Sequence, residues 1–76
     1  MSGLPRVSGQ ECASILEKIG FVFIRQHGSH LIYRRNNPYA QTTIPNHKEL
    51  DRGTLRSILR QCDLSVNEFM NLYNNL

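Results

Sequence analysis

Residues 21–44, FVFIRQHGSHLIYRRNNPYAQTTI, decide the fold. Phe21 to Gln26 and His30 to Arg35 are rich in β-branched and aromatic residues, with Gly28-Ser29 between them, which is a hairpin signal. A three-residue turn, His27-Gly28-Ser29, sets Ile24 across from Ile32 and Phe23 across from Tyr33. A two-residue turn, Gly28-Ser29, instead sets His27 against His30. The apolar matching favours the first register. Asn36-Asn37-Pro38 is a loop by its turn chemistry. Gln41 to Ile44 then makes a third short strand, stopped by Pro45, which has no N–H to give a ladder.

Helices flank this block. Upstream, Ser8 followed by Glu11 is a capping box, with Val7 and Cys12 at the positions of a hydrophobic staple. Cys12, Ile15, Leu16 and Ile19 follow helical spacing, and Gly20 is placed to end the helix, so the spacing predicts a helix from about Gly9 to Ile19. Downstream, the polar turn Asn46-His47-Lys48-Glu49 leads into a second helix starting near Arg52 or Gly53. Leu55, Ile58, Leu59 and Cys62 form its apolar stripe, while Arg52, Arg56 and Arg60 recur every four residues on another face. Ser65 and Glu68 repeat the capping box and open a last helix carrying Val66, Phe69, Met70 and Tyr73. The order is α-β-β-β-α-α. Three antiparallel strands leave a sheet face to be covered, amphipathic helices can cover it, and the expectation is an α+β two-layer domain.

The 76 residues suffice for one domain, taken as 1–76, and not for two. No apolar run approaches the ~18 residues of a membrane span, and the N-terminal MSGLPRVSGQ lacks the apolar stretch of a signal peptide. Cys12 and Cys62 make neither a CxxC nor a disulfide framework, so they read as reduced, packed thiols of a cytoplasmic protein. The net charge of +3 is unevenly spread. Residues 25–60 hold Arg25, Arg34, Arg35, Lys48, Arg52, Arg56 and Arg60 against only Glu49 and Asp51, whereas residues 61–76 hold only Asp63 and Glu68. A basic module of this kind is the electrostatic footprint of a nucleic-acid binder; the plain alternative is a cationic solvated surface.

His30 is the first candidate for chemistry. Histidine ordinarily titrates near pH 6.5, so it can take a proton from a ribose 2′-hydroxyl or give one to a departing 5′-oxygen. Gly28 permits close approach of a ligand backbone, and Ser29 can hydrogen-bond a phosphate. A strand histidine can equally be a structural residue. His27 and His47, each in a turn, are accessory candidates for the second acid–base group, and which of them converges on His30 stays open. No Ser-His-Asp order and no glycine-rich phosphate loop is present, and Glu49 with Asp51 is too thin for a metal pair. The expected mechanism therefore uses no metal and no cofactor. The arginine stripe can track phosphates or meet an acidic partner, or it is a solvated face. Tyr33 and Tyr39 can stack on bases, and Tyr33 is equally suited to the core.

Two longer strings, LPRVSGQECASILEKIGFVFIRQHGSHLIYRR and TIPNHKELDRGTLRSILRQCDLSVNEF, resemble the HicA toxin family of bacterial toxin–antitoxin systems, from Leu4 to about Phe69. The resemblance rests on the Gly-Ser-His turn, the Pro-Asn-His-Lys-Glu-Leu segment and Gly-Thr-Leu-Arg-Ser-Ile-Leu in that order. It implies a fold like the double-stranded RNA-binding domain, an mRNA interferase that needs no ribosome, and a HicB-type antitoxin that blocks its site. The family's essential histidine falls on His30. Cys62-Asp63 departs from the Ala-Gly common there in the family, leaving the second helix without its usual terminal glycine. The resulting expectation is a cytoplasmic endoribonuclease toxin acting on mRNA. His30 is its acid or base, and Gly28, Ser29, Arg25, Arg34, Lys48 and Arg56 bind the substrate. The rival is a non-catalytic dsRBD-like module that holds RNA without cutting it.

Overall fold

The computed structural model of the chain describes residues 4–75. Residues 1–3, the start of the segment read as no signal peptide, and residue 76 lie outside it. Ser8 opens helix α1 (Gly9–Glu17) as its capping box requires: its hydroxyl accepts from the Glu11 N–H at 3.0 Å, and the Glu11 carboxylate accepts from the Ser8 N–H at 2.8 Å. Val7 and Cys12, the staple pair, are both buried. Strands β1 (Val22–His27), β2 (His30–Asn36) and β3 (Tyr39–Pro45) follow, then α2 (Arg52–Gln61) and α3 (Val66–Asn74). The sheet is antiparallel in the order β1-β2-β3, and α1 and α2 pack chiefly on β3. The α+β layout is the expected one.

The hairpin resolves its two possible registers by using both. Gly28 and Ser29 form a two-residue turn that pairs His27 with His30, Gln26 with Leu31 and Arg25 with Ile32. The register then shifts between Phe23 and Arg25, so that Phe23 meets Tyr33 and Val22 meets Arg34. Ile24 is the extra residue of a β-bulge, and the expected Ile24–Ile32 pair does not form. Turn chemistry and apolar matching are thereby both satisfied, because a single unpaired residue absorbs their disagreement. The Phe23 and Tyr33 rings meet edge to face, with centroids 5.7 Å apart. The β3 pairing extends beyond Gln41–Ile44 at both ends, from Tyr39 opposite Asn36 to Pro45 opposite His30.

Alternation along the strands separates two faces. Leu31 and Tyr33 of β2 and Ala40, Thr42 and Ile44 of β3 point into the core, where they join Ile15, Leu16, Phe21, Leu55, Ile58 and Phe69. Thr42, a buried polar side chain, donates its hydroxyl to Gln61. Tyr33 is therefore a core residue. Its hydroxyl donates to Glu17 at 3.2 Å, and burial, then the Glu17 charge, push its pKa up. Both cysteines are packed as expected: burial raises Cys12 to about 12 and Cys62 to about 11, the latter against the opposing pull of Arg35.

The ends of α1 and α2 are built alike from different residues. After α1, the Phe21 N–H bonds the Leu16 carbonyl and the Gly20 N–H that of Glu17, a Schellman motif with Gly20 at φ +98°. After α2, Leu64 bonds Leu59 and Asp63 bonds Arg60 in the same pattern, but the left-handed position, φ +55°, is held by Asp63. An L-residue there costs about 1–2 kcal/mol, somewhat less for Asp. Asp63→Gly is expected to raise the stability by up to about 1 kcal/mol, read as a higher midpoint in urea with an unchanged slope.

Two helix N-termini make the protein sensitive to acid. The Asp51 carboxylate caps α2 by accepting from the Thr54 N–H at 2.7 Å, and that bond holds its pKa below the usual value. Glu68 is lowered likewise by its bond from the Ser65 N–H. A carboxyl depressed in the folded state contributes stability that is complete above its unfolded pKa, about 4, and is lost as pH falls through the lower folded value. Thermal midpoints measured across that window are expected to fall with acidification. The fall should be shallower in Asp51→Asn, which can still cap but does not titrate.

Candidate active site

The sheet face turned away from the helices is built from the residues that the core alternation leaves over. Three rows run across it: His27, His30 and Pro45; Arg25, Ile32 and Thr43; Val22, Arg34 and Gln41. Same-face residues along a strand stand about 7 Å apart, two steps of 3.4 Å. Arg25 is thus one row from His30, and Arg34 is two. Tyr39, 67% exposed, closes the far end. Arg35, the neighbour of Arg34, turns to the other face. Its guanidinium lies 4.7 Å from the Phe21 ring centroid and its Nε donates to the Pro38 carbonyl at 2.9 Å, so it is spent on structure.

His30 sits at the end of the sheet where the chain is tied together most tightly. The turn before it needs its glycine: Gly28 has φ +61°, and no atom lies within 4 Å of where a Cβ would stand. The Gln26 side chain donates to the Gly28 carbonyl at 2.9 Å. Beyond β3, the Asn46 N–H donates to the Ser29 carbonyl at 2.7 Å, and the Asn46 side chain accepts from Gln10 at 3.0 Å. The His47 carbonyl accepts from the Gly9 N–H at 2.9 Å, and the Leu50 N–H donates to Val7. Three segments distant in sequence, the hairpin tip, the exit of β3 and the start of α1, therefore meet at His30. A salt bridge between exposed Arg6 and Glu49, 3.2 Å, lies along the same seam.

The predicted residues fall into two groups. His27, Gly28, Ser29, His30 and His47 gather at this end, Lys48 follows His47 in the same loop, and Arg25 and Arg34 extend the row of cations along the sheet. All three histidines are exposed, and no side-chain hydrogen bond engages their rings among the described residues. Arg56 belongs elsewhere. It lies on the solvent side of α2, where it lines a shallow cavity with Leu59, Arg60, Leu64, Ser65 and Val66. The charge count along the chain could not separate these layers. Asn46 and Gln10, which fix the loop against the hairpin tip, were not visible as site residues, because their partners are remote in sequence.

In chemical terms this end offers imidazoles for proton transfer, a serine and a glycine turn open to a phosphate, and guanidinium groups to neutralise further phosphates. Among the described residues no cluster of three His, Cys, Asp or Glu side chains could hold a metal ion, and no helix is long and apolar enough to cross a membrane. A family model described as the HicA toxin of bacterial toxin-antitoxin matches residues 9–64 of the 76. No curated protein matches the chain.

Proposed function

Since the chain belongs to the HicA toxin family of bacterial toxin–antitoxin systems, we propose that it arrests translation as an endoribonuclease that cuts mRNA without the ribosome. The observation that carries this reading is the placement of His30: exposed, at the open end of a basic sheet face, beside a glycine turn with free space around it. An RNA strand laid along that face meets Arg25 and Arg34 through its phosphates, which supplies affinity without base specificity. Ser29 and Lys48 bracket the scissile phosphate at the histidine end. There His30 serves as general acid or base. The 2′-hydroxyl loses its proton and attacks phosphorus, the bond to the 5′-oxygen breaks, and the products carry a 2′,3′-cyclic phosphate and a 5′-hydroxyl. Such a reaction draws on no metal or other cofactor. A HicB-type antitoxin would neutralise the toxin by covering the His30 end, and the setting is the cytoplasm, where mRNA is met.

The test is incubation of the purified protein with a defined mRNA in the presence of EDTA. Cleavage that leaves cyclic phosphate ends is the expected result. An RNA that is bound in a gel shift yet stays intact would favour a dsRBD-like binding module instead. Cleavage that disappears in EDTA and returns with a divalent cation would overturn the metal-free mechanism.

A further inference from the structure

Cleavage by transesterification needs two proton transfers, one from the 2′-hydroxyl and one to the 5′-oxygen, and a single histidine accounts for one of them. Resting on the ribonuclease reading above, we propose that His27 and His30 form a cross-strand acid–base pair, one imidazole serving each of the two oxygens. The register places them directly opposite each other across the Gly28-Ser29 turn, and therefore on the same face of the sheet. Opposite residues hold their Cβ atoms about 4.5–5.5 Å apart, so two rings rising from that face can flank one phosphate. Both side chains are exposed, and neither ring is held by a side-chain hydrogen bond among the described residues.

The neighbours of His30 narrow the choice. On the β3 side the residue directly opposite is Pro45, which has no proton to move. Arg25, one row away, offers a guanidinium, which donates hydrogen bonds but has no acceptor to take up a proton. His47 lies two residues past Pro45 on the loop, outside the ladder that aligns His27 with His30. The turn keeps the pair in register, since its glycine carries the one positive φ between the two strands and its carbonyl is held by Gln26. In the step itself one imidazole takes the 2′-hydroxyl proton as the new P–O bond forms. The other, as imidazolium, gives its proton to the 5′-oxygen as that bond breaks. The two rings leave with their protonation exchanged, and solvent resets them.

The experiment compares wild type, His27→Ala, His30→Ala and His47→Ala on two substrates: ordinary RNA, and the same RNA with sulfur in place of the 5′-oxygen at the cleaved bond. A departing thiolate needs no proton, so loss of the acid is bypassed and loss of the base is not. The pair requires that His27→Ala and His30→Ala each slow cleavage of ordinary RNA by about 10²-fold or more. It also requires that sulfur restore one of them and only one, which then identifies the acid. A loss in His47→Ala that sulfur restores, in place of one in His27→Ala or His30→Ala, would overturn the pair. A His27→Ala variant that cuts ordinary RNA at the wild-type rate, or sulfur that restores both variants or neither, would overturn the pair. A wild type that cuts neither substrate would instead bring down the ribonuclease reading, and the pair with it. Thermal midpoints within a degree or two of wild type exclude a folding defect, and His27→Gln, which keeps polarity without the proton, should match the alanine variant.

Discussion

His30→Ala is expected to lower the rate of RNA cleavage by about 10²- to 10⁴-fold, the usual contribution of one positioned acid or base, while changing RNA affinity by less than about threefold. The two expectations separate because they draw on different residues. On the proposed function, affinity would come from cations along the sheet face, Arg25 and Arg34 among them, whose contribution would depend on counterion release and not on an imidazole. The side chain of His30 is exposed and makes no side-chain hydrogen bond among the described residues, so its removal should move stability by no more than about 0.5 kcal/mol. Single-turnover cleavage beside a filter-binding titration measures both quantities. An equal loss of rate and affinity would make His30 a binding residue. An unchanged rate would remove it from the mechanism, and with it the reason for reading the open sheet face as an active site.

Gly9→Ala should produce the largest loss of stability from the smallest change. Gly9 is the first residue of α1 and is buried, its N–H donates to His47, and a Cβ on it would run into the Pro45 carbonyl. That obstacle is backbone at the end of a paired strand, so it cannot swing aside as a side-chain tip would. Overpacking of this kind costs about 1–3 kcal/mol, which in a domain of this size lowers the thermal midpoint by about 4–8 °C per kcal/mol. Gly53→Ala is the control. Gly53 also sits in the first turn of a helix, but its Cβ would meet only an ordinary contact, the Asp51 side chain at 3.5 Å. There the same substitution should stabilise by about 0.4–1 kcal/mol, through the unfolded chain. If both alanines stabilise, the start of α1 does not press against Pro45 as described.

These cases mark what can be read from the chain alone. Local chemistry was legible: the capping boxes at Ser8 and Ser65, the staple of Val7 and Cys12 and the Gly20 terminus each depend on residues within a few positions of one another, and each appears in the structure. The turn length was not, since apolar matching favoured the three-residue turn His27-Gly28-Ser29 and the structure has the two-residue turn Gly28-Ser29. The match to the toxin family over residues 9–64 agrees with the resemblance drawn from the motifs. What escaped depends on distant contacts or on trading one cost for another. The bulge at Ile24 arises because the turn and the Phe23–Tyr33 match demand registers one residue apart. Asp63 adopts the left-handed backbone at the position where the terminal glycine was missing from the sequence, so the absence of glycine did not change how the helix ends. That His27, Ser29 and His30 lie together at the hairpin tip was legible, though the His27–His30 pairing belonged to the register not favoured, whereas the position of the His47 loop depends on bonds from Gly9 to His47 and from Gln10 to Asn46. Arg56, read on the second helix and counted among the substrate-binding residues, faces solvent from the helical layer, away from the open sheet face.

The bulge has a second consequence, for how the protein behaves in a crowd. Strand β1 lies at the edge of the sheet with little helical cover, and it shows Val22 and Phe23 at 55% and 50% exposure. An apolar edge with free backbone groups is a template on which further chains can add, the first step towards aggregation. The extra residue bends the strand and interrupts its spacing midway, so an incoming strand finds no long straight ladder to pair with. The residue that reconciles the hairpin's two registers thus also makes the exposed edge a poorer template for copies of itself.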